Sequence, residues 1–267
     1  MMLSGYLTVA AVLVAQAPPA EAKKLEEAAA RLALMQKSVA GYTMHLADDA
    51  GESYRLKPEP CLRFTNTIGG SRDGAVFVWL GKHGRPEVVT QLLFTRDGSW
   101  QQELSSLAAG PLTADWKGQR IWTPSKGGVA FKPVPDGPAP AGTAEERLRQ
   151  MHAITRNFTV EDQFRSQSWQ PLRLLAKPCA RYGKPGSSII DGALFAYVLT
   201  TDPEVFLMLE ARADQGEPRW HYAFAPMTVF AVKGSWKGKE VWSLPFHVDE
   251  AGSPSSTFHA LPAPGIE

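Results

Sequence analysis

Hydrophobic positions recur with two periods along this chain, and the alternation between them predicts the same element order twice. Leu25, Ala29, Leu32 and Met35 fall at helical spacing, which predicts a helix near residues 22–39. Thr143 and Glu146 form a capping box ahead of Leu148, Met151 and Ile154, which predicts a second helix through about Arg156. After each helix the period shortens to that of strands divided by turns. In the first half, strands are expected near 42–47, 54–64, 74–80, 87–95, 100–107, 111–116 and 120–123, and the second half repeats that order. The strands at 193–198 and 205–209 are apolar at odd and even positions alike, with Leu194, Ala196 and Val198 alternating with Phe195 and Tyr197. A sheet with one wet face does not require that pattern, so both faces of these strands must be covered.

The doubled order is matched by doubled residues. Residues 54–80 written over 172–198 align without a gap and pair Arg55/Arg173, Leu56/Leu174, Pro60/Pro178, Cys61/Cys179, Arg63/Arg181, Asp73/Asp191, Gly74/Gly192, Ala75/Ala193 and Phe77/Phe195. Chance at average composition would give roughly two identities over such a stretch. The match runs on through Pro86-Glu87-Val88 over Pro203-Glu204-Val205, Trp100 over Trp220, and Trp116-Lys117-Gly118 with Trp122 over Trp236-Lys237-Gly238 with Trp242. Upstream, Arg31, Leu32 and Met35 align with Arg147, Leu148 and Met151; downstream, Phe131 aligns with Phe258. The expected organisation is a signal peptide at 1–22, a first repeat at 23–134, a Pro-rich linker at 135–142 within PVPDGPAPAG, and a second repeat with a C-terminal tail at 143–267. The expected fold class is α+β: a tandem duplication in which each half packs one helix on a curved antiparallel sheet, the two halves related by a pseudo-two-fold axis.

Residues 5–17 form an apolar run of signal-peptide length, too short to span a bilayer, and Ala20-Glu21-Ala22 fits a small-x-small cleavage site. Export to the periplasm, envelope or extracellular space is expected, with no membrane anchor after cleavage. Composition narrows the partners. Twenty-eight Lys and Arg against 27 Asp and Glu leave no basic field for a phosphate backbone, so nucleic acid is not an expected partner. The segments DGALFAYVLTTDPEV, SWKGKEVWSLP and PCARYG resemble a family of exported bacterial proteins, internally duplicated and with no known activity. That resemblance covers most of the mature chain; it implies export and brings no catalytic residue.

Signatures of acyl transfer, nucleotide binding, zinc and dithiol redox chemistry are missing from the sequence. His45, His83, His152, His221, His247 and His259 lie at no metal-ligand spacing, so neither metal nor cofactor is expected. Four doubled charges, Arg63 with Asp73 and Arg181 with Asp191, could be structural ion pairs or converge on an anionic ligand. Glu87 and Glu204 could face each other across the axis, or simply be solvated strand starts. The Trp116/Trp122 and Trp236/Trp242 pairs could stack on sugars, though packing is the simpler role. Doubled residues serve what both copies need, namely folding, whereas a single site needs its groups once. The singletons are His221, where the first copy has Gln101, and Asp202, where it has Arg85.

The sequence therefore points to an exported, non-catalytic binding or structural module, a monomer with an internal pseudo-dimer, whose partner is a small molecule or an envelope protein. The alternatives are an enzyme using singleton polar groups of the second repeat and a carbohydrate-binding module using the paired Trp. Cys61 and Cys179 are expected as separate buried thiols rather than a bridge. Each WKG segment is expected as a hairpin burying at least Trp122 and Trp242, a two-residue loop placing the two indoles of a pair on opposite faces and a three-residue loop placing them on the same face.

Overall fold

A computed structural model describes residues 19–166, 168–213 and 216–266; the apolar run read as a signal peptide lies outside them up to residue 18. The first helix, α1 (Pro19–Val39), spans the expected cleavage point after Ala22. Strands of the first half are β1 (Tyr42–Leu46), β2 (Asp49–Ser53), β3 (Arg55–Leu56), β4 (Leu62–Asn66), β5 (Ser71–Leu80), β6 (Pro86–Thr95), β7 (Trp100–Ser106), β8 (Leu112–Trp116), β9 (Gln119–Trp122) and β10 (Lys132–Pro133). The second half opens with α2 (Ala144–Thr155) and continues with β11 (Phe158–Asp162), β12 (Gln170–Pro171), β13 (Arg173–Leu174), β14 (Ala180–Tyr182), β15 (Ile189–Leu199), β16 (Asp202–Arg212), β17 (Arg219–Pro226), β18 (Val232–Trp236) and β19 (Lys239–Leu244). A single turn, α3 (Val248–Ala251), precedes β20 (Phe258–Pro262). The molecule is a mixed α and β fold whose strand pairings are antiparallel.

Four sheets result. Two are four-stranded, ordered β2-β1-β8-β9 and β12-β11-β18-β19. Two are six-stranded, ordered β20-β7-β6-β5-β3 and β10-β17-β16-β15-β13, with β4 and β14 also pairing β5 and β15. The terminal strands change halves: β10 lies on β17, and β20 lies on β7. Pro133 tolerates its place because β10 is an edge strand, where a missing N–H breaks no ladder. The Pro-rich stretch that follows is held to α2, because Gln150 donates to Ala139 O at 2.9 Å and Arg147 Nη1 donates to the carbonyls of Ala141 and Gly142.

The double-sided strands find both partners. On β15, Leu194, Ala196 and Val198 join Phe206, Met208, Val76, Val78 and Val89 in a core between the halves. Phe195 and Tyr197, on the opposite face, meet Met151 and Ile154 of α2 and Phe158, Val160 and Val232 of the small sheet. On β5, Val76 and Val78 face the seam while Ala75 and Phe77 meet Met35 and Val39 of α1. Leu25, expected on the packed face of α1, is 63% exposed. The helix overhangs the sheet at its N-terminal end, so helical spacing continues there with nothing among the described residues to pack against.

The WKG segments are two-residue hairpins. Lys117 and Gly118 have φ of 48° and 82°, Lys237 and Gly238 47° and 82°, the doubly positive pattern that suits tight hairpins. The expected opposite faces are corrected by a bulge: the register shifts so that Trp122 opposes Ala114, two residues from Trp116, and Trp242 opposes Gly234. One extra residue reverses the parity and puts both indoles of a pair on one side. Trp122 is fully buried, as expected, with Nε1 donating to Ser256 O at 2.8 Å. In the second pair the buried member is Trp236, while Trp242 is only partly buried and stacks on Phe224 with ring centroids 5.2 Å apart. Neither pair is an exposed sugar platform.

Truncating Trp122 would empty the core of the first small sheet and break its tie to the chain leading into β20. Trp122→Ala should cost about 3–5 kcal/mol in chemical denaturation. Trp122→Phe should cost clearly less.

Candidate functional site

The doubled charges meet as helix clamps. Asp73 on β5 accepts from Arg31 Nε of α1 at 2.8 Å and from Arg63 Nη2 of β4. Asp191 on β15 accepts from Arg147 Nε of α2 at 2.9 Å and from Arg181 Nη2 of β14 at 2.7 Å. Each carboxylate is almost fully buried between two guanidiniums, which docks a helix onto a sheet in both halves. Arg63, Asp73, Arg181 and Asp191 are thus the structural ion pairs that were one of the two expectations for them. Glu87 and Glu204 do not face each other; they belong to two different polar clusters within the seam.

The first cluster forms where the start of β6 meets the far end of β16. Arg85 is 8% exposed, because the core between the sheets closes over it. Its Nε donates to Glu210 Oε1 at 3.0 Å, and its Nη1 donates to Glu87 Oε2 at 2.7 Å and to Leu107 O at 3.1 Å. Its Nη2 is buried and has no partner among the described residues. Glu210 also accepts from Tyr182 Oη at 2.9 Å and from Arg212 Nε at 2.7 Å. Phe131, leading into the exchanged β10, lies under both guanidiniums, with Arg212 Cζ 3.8 Å and Arg85 Cζ 5.6 Å from its ring centre. Burial opposes the charge on Arg85, yet Glu87 and Glu210 together hold its pKa above normal. Burial raises the Glu87 carboxyl, with Arg85 pulling it back. A cavity of about 490 Å³ opens beside this cluster, walled by Asp48, Arg85, Glu87 and Gly110 of the first half and Ser188 and Arg212 of the second. That volume lies within the range of small-molecule sites.

The second cluster occupies the corresponding place at the start of β16, and there Asp202 stands instead of Arg85. Asp202 Oδ2 accepts from Asn66 Nδ2 at 3.0 Å, and Oδ1 accepts from Gln91 Nε2 at 2.9 Å. The same Gln91 nitrogen lies 3.2 Å from Glu103 Oε2, and Glu204 lies near enough to feel the charge of Asp202. Unlike the first cluster, this one has no guanidinium. Burial accordingly pushes Asp202 up to about 7; burial and then Asp202 push Glu103 up to about 8, and the same two causes raise Glu204 strongly. His221 does not join it. It lies on β17 opposite Glu210 in the strand register, with Nδ1 3.3 Å from Arg219 O.

Arg85, Glu210, Arg212, Tyr182, Gln91 and Glu103 were not singled out by sequence as site residues. Two signals pointed towards them: the exchange of Arg85 for Asp202 between equivalent positions, and Glu210 interrupting the apolar run of β16. Among the described residues no group of three His, Cys, Asp or Glu is arranged to hold a metal ion, and no helix is long and apolar enough to cross a membrane.

The acidic cluster fixes the sign of a pH dependence. Carboxyls whose folded pKa lies above the unfolded value bind more protons in the native state, so stability falls as pH rises from the unfolded to the folded pKa. For Asp202 and Glu103 that window runs from about 4 to about 8. His259, lowered by burial, acts in the opposite sense below its ordinary pKa of 6.5. The melting temperature should drop by roughly 5–10 °C between about pH 6.5 and pH 8.5. Asp202→Asn, which keeps the shape and removes one titration, should flatten that drop.

Compared with protein-family models, with curated proteins and with solved structures, this chain finds no match in any of the three.

Proposed function

We propose that this chain is an exported binding module made of two copies of one α+β unit, and that it holds a small polar ligand in the cavity between them beside Arg85 and Arg212. The duplication is supported by residue identities that fall on corresponding elements and by strand orders that correspond position by position, exchanged terminal strands included. In this reading, the chain is a fused form of an ancestral dimer whose last strands were swapped, and each half packs one helix on a curved sheet. Export rests on the N-terminal apolar run and its small-residue cleavage site.

The observation that carries the binding site is the convergence of Arg85, Glu87, Asp48 and Arg212, charged groups from both halves, on the wall of one cavity. The two guanidiniums are balanced by Glu87 and Glu210, so the site does not select for net negative charge. It suits a ligand that brings a carbonyl or carboxylate oxygen to Arg85 and Arg212 and a donor to Glu87, as a zwitterion or a peptide end does. A second cavity, of about 500 Å³, lies against Lys126, His247, Glu250 and the serines at 253, 255 and 256, but it gathers fewer charged groups.

Thermal-shift and calorimetric titration with amino acids, short peptides and small dicarboxylates tests this reading. A binder is expected among them, and Arg212→Ala should weaken it by about tenfold or more while leaving the fold intact. Equal binding by Arg212→Ala would place the ligand elsewhere.

A further inference from the structure

Cys61 and Cys179 hold the same position in the two halves. Each precedes the strand that pairs with the first long strand of its sheet: Cys61 N donates to Val76 O and Cys179 N to Leu194 O, both at 2.8 Å. Equivalent positions of two related units meet only on the axis between them. Both pack in one core of the seam, Cys179 at 7% exposure and Cys61 partly open, and both are free thiols, with Cys179 near enough to raise the Cys61 thiol. The expectation of two thiols rather than a bridge holds, except that Cys61 is only partly buried, and the two pack in the same core. The sequence could not show that shared core, because it depends on where the axis falls.

We propose that Cys61 and Cys179 are a dithiol–disulfide site that closes into a covalent bond between the two halves when the chain meets a disulfide oxidant. The balance is that of thiol–disulfide exchange. The Cys61 thiolate, from the more accessible of the two residues, attacks one sulfur of the oxidant's disulfide; the oxidant's other sulfur leaves as a thiolate and takes up a proton. The Cys179 thiolate then attacks Cys61 Sγ and expels the second oxidant thiol. Two protein thiols lose two protons and two electrons, and one oxidant disulfide becomes two thiols. The neighbouring Cys179 thiol, and then burial, push the Cys61 thiol up, so closure accelerates with rising pH. The ring so formed spans more than a hundred residues and ties the seam at its centre. Nothing in this step depends on what the cavity beside Arg85 binds.

The test treats the purified, reduced chain with oxidised glutathione and then counts thiols after denaturation without reductant. The expected outcome is loss of both thiols, a mass lower by two hydrogens, an unchanged monomeric mass, and a proteolytic fragment joining the Cys61 and Cys179 segments that dithiothreitol separates. The bridged form should melt higher by roughly 5–10 °C, a shift missing from Cys61→Ser and Cys179→Ser. Two thiols still free after oxidation, glutathione attached to either Cys as the end product, or a bridge between two chains would each overturn the proposal.

Discussion

The fold depends on a seam in which two antiparallel sheets bury their inner faces against each other. The central strands β5, β6, β15 and β16 are apolar on both sides, so either half alone would expose the face carrying Val76, Val78 and Val89, or Leu194, Ala196, Val198, Phe206 and Met208. Apolar burial at about 25 cal/mol per Å² makes such a face too costly to leave wet. The helices and small sheets then cover the outer faces, through two separate cores in the first half and one continuous core in the second. The exchanged strands add backbone hydrogen bonds to this packing, since each large sheet takes its edge from the other half.

A seam this apolar penalises every charge within it, and the two charged clusters meet the penalty differently. Around Arg85, opposite charges and hydrogen bonds compensate one another until only one guanidinium nitrogen is left over. Around Asp202 no cation is supplied, and the amides of Asn66 and Gln91 stand in for one. An amide donates without neutralising, so the carboxyls keep their protons to higher pH. The same location in the frame is thus electrostatically balanced once and proton-dependent once.

Much of this frame was legible in the chain. The helix at 144–155 was readable because Thr143 and Glu146 are a local device, and the double-sided strands because both of their faces are written in consecutive residues. The failures have one physical origin. A bulge beside Trp116 and the overhang of Leu25 are set by register and by the placing of one element on another, which no local pattern encodes. Likewise β2 was not anticipated, since Asp49 to Ser53 carries no apolar alternation and is a strand only because β1 offers an edge. The clamps show the converse: Arg31, Arg63 and Asp73 were visible as doubled residues, yet only the fold shows that both cations close on one carboxylate.

In the proposed reading of two copies of one unit, any residue needed to build the unit recurs, as the Arg–Asp clamps and the WKG hairpins do. A residue that departs from its counterpart is released from that requirement, and a buried charge among such residues must be compensated on its own side. Arg85 and Asp202 are counterparts with opposite charge, Glu210 stands where the first half has Leu93, and Arg212 where it has Thr95. All four lie in the seam, and three of them, Arg85, Glu210 and Arg212, converge beside one cavity. Folding alone would have been served by apolar residues at those places, at no desolvation cost. The concentration of unmatched, buried and costly polar groups at one end of an otherwise apolar seam is therefore the strongest structural reason to place binding there rather than on the repeated surface.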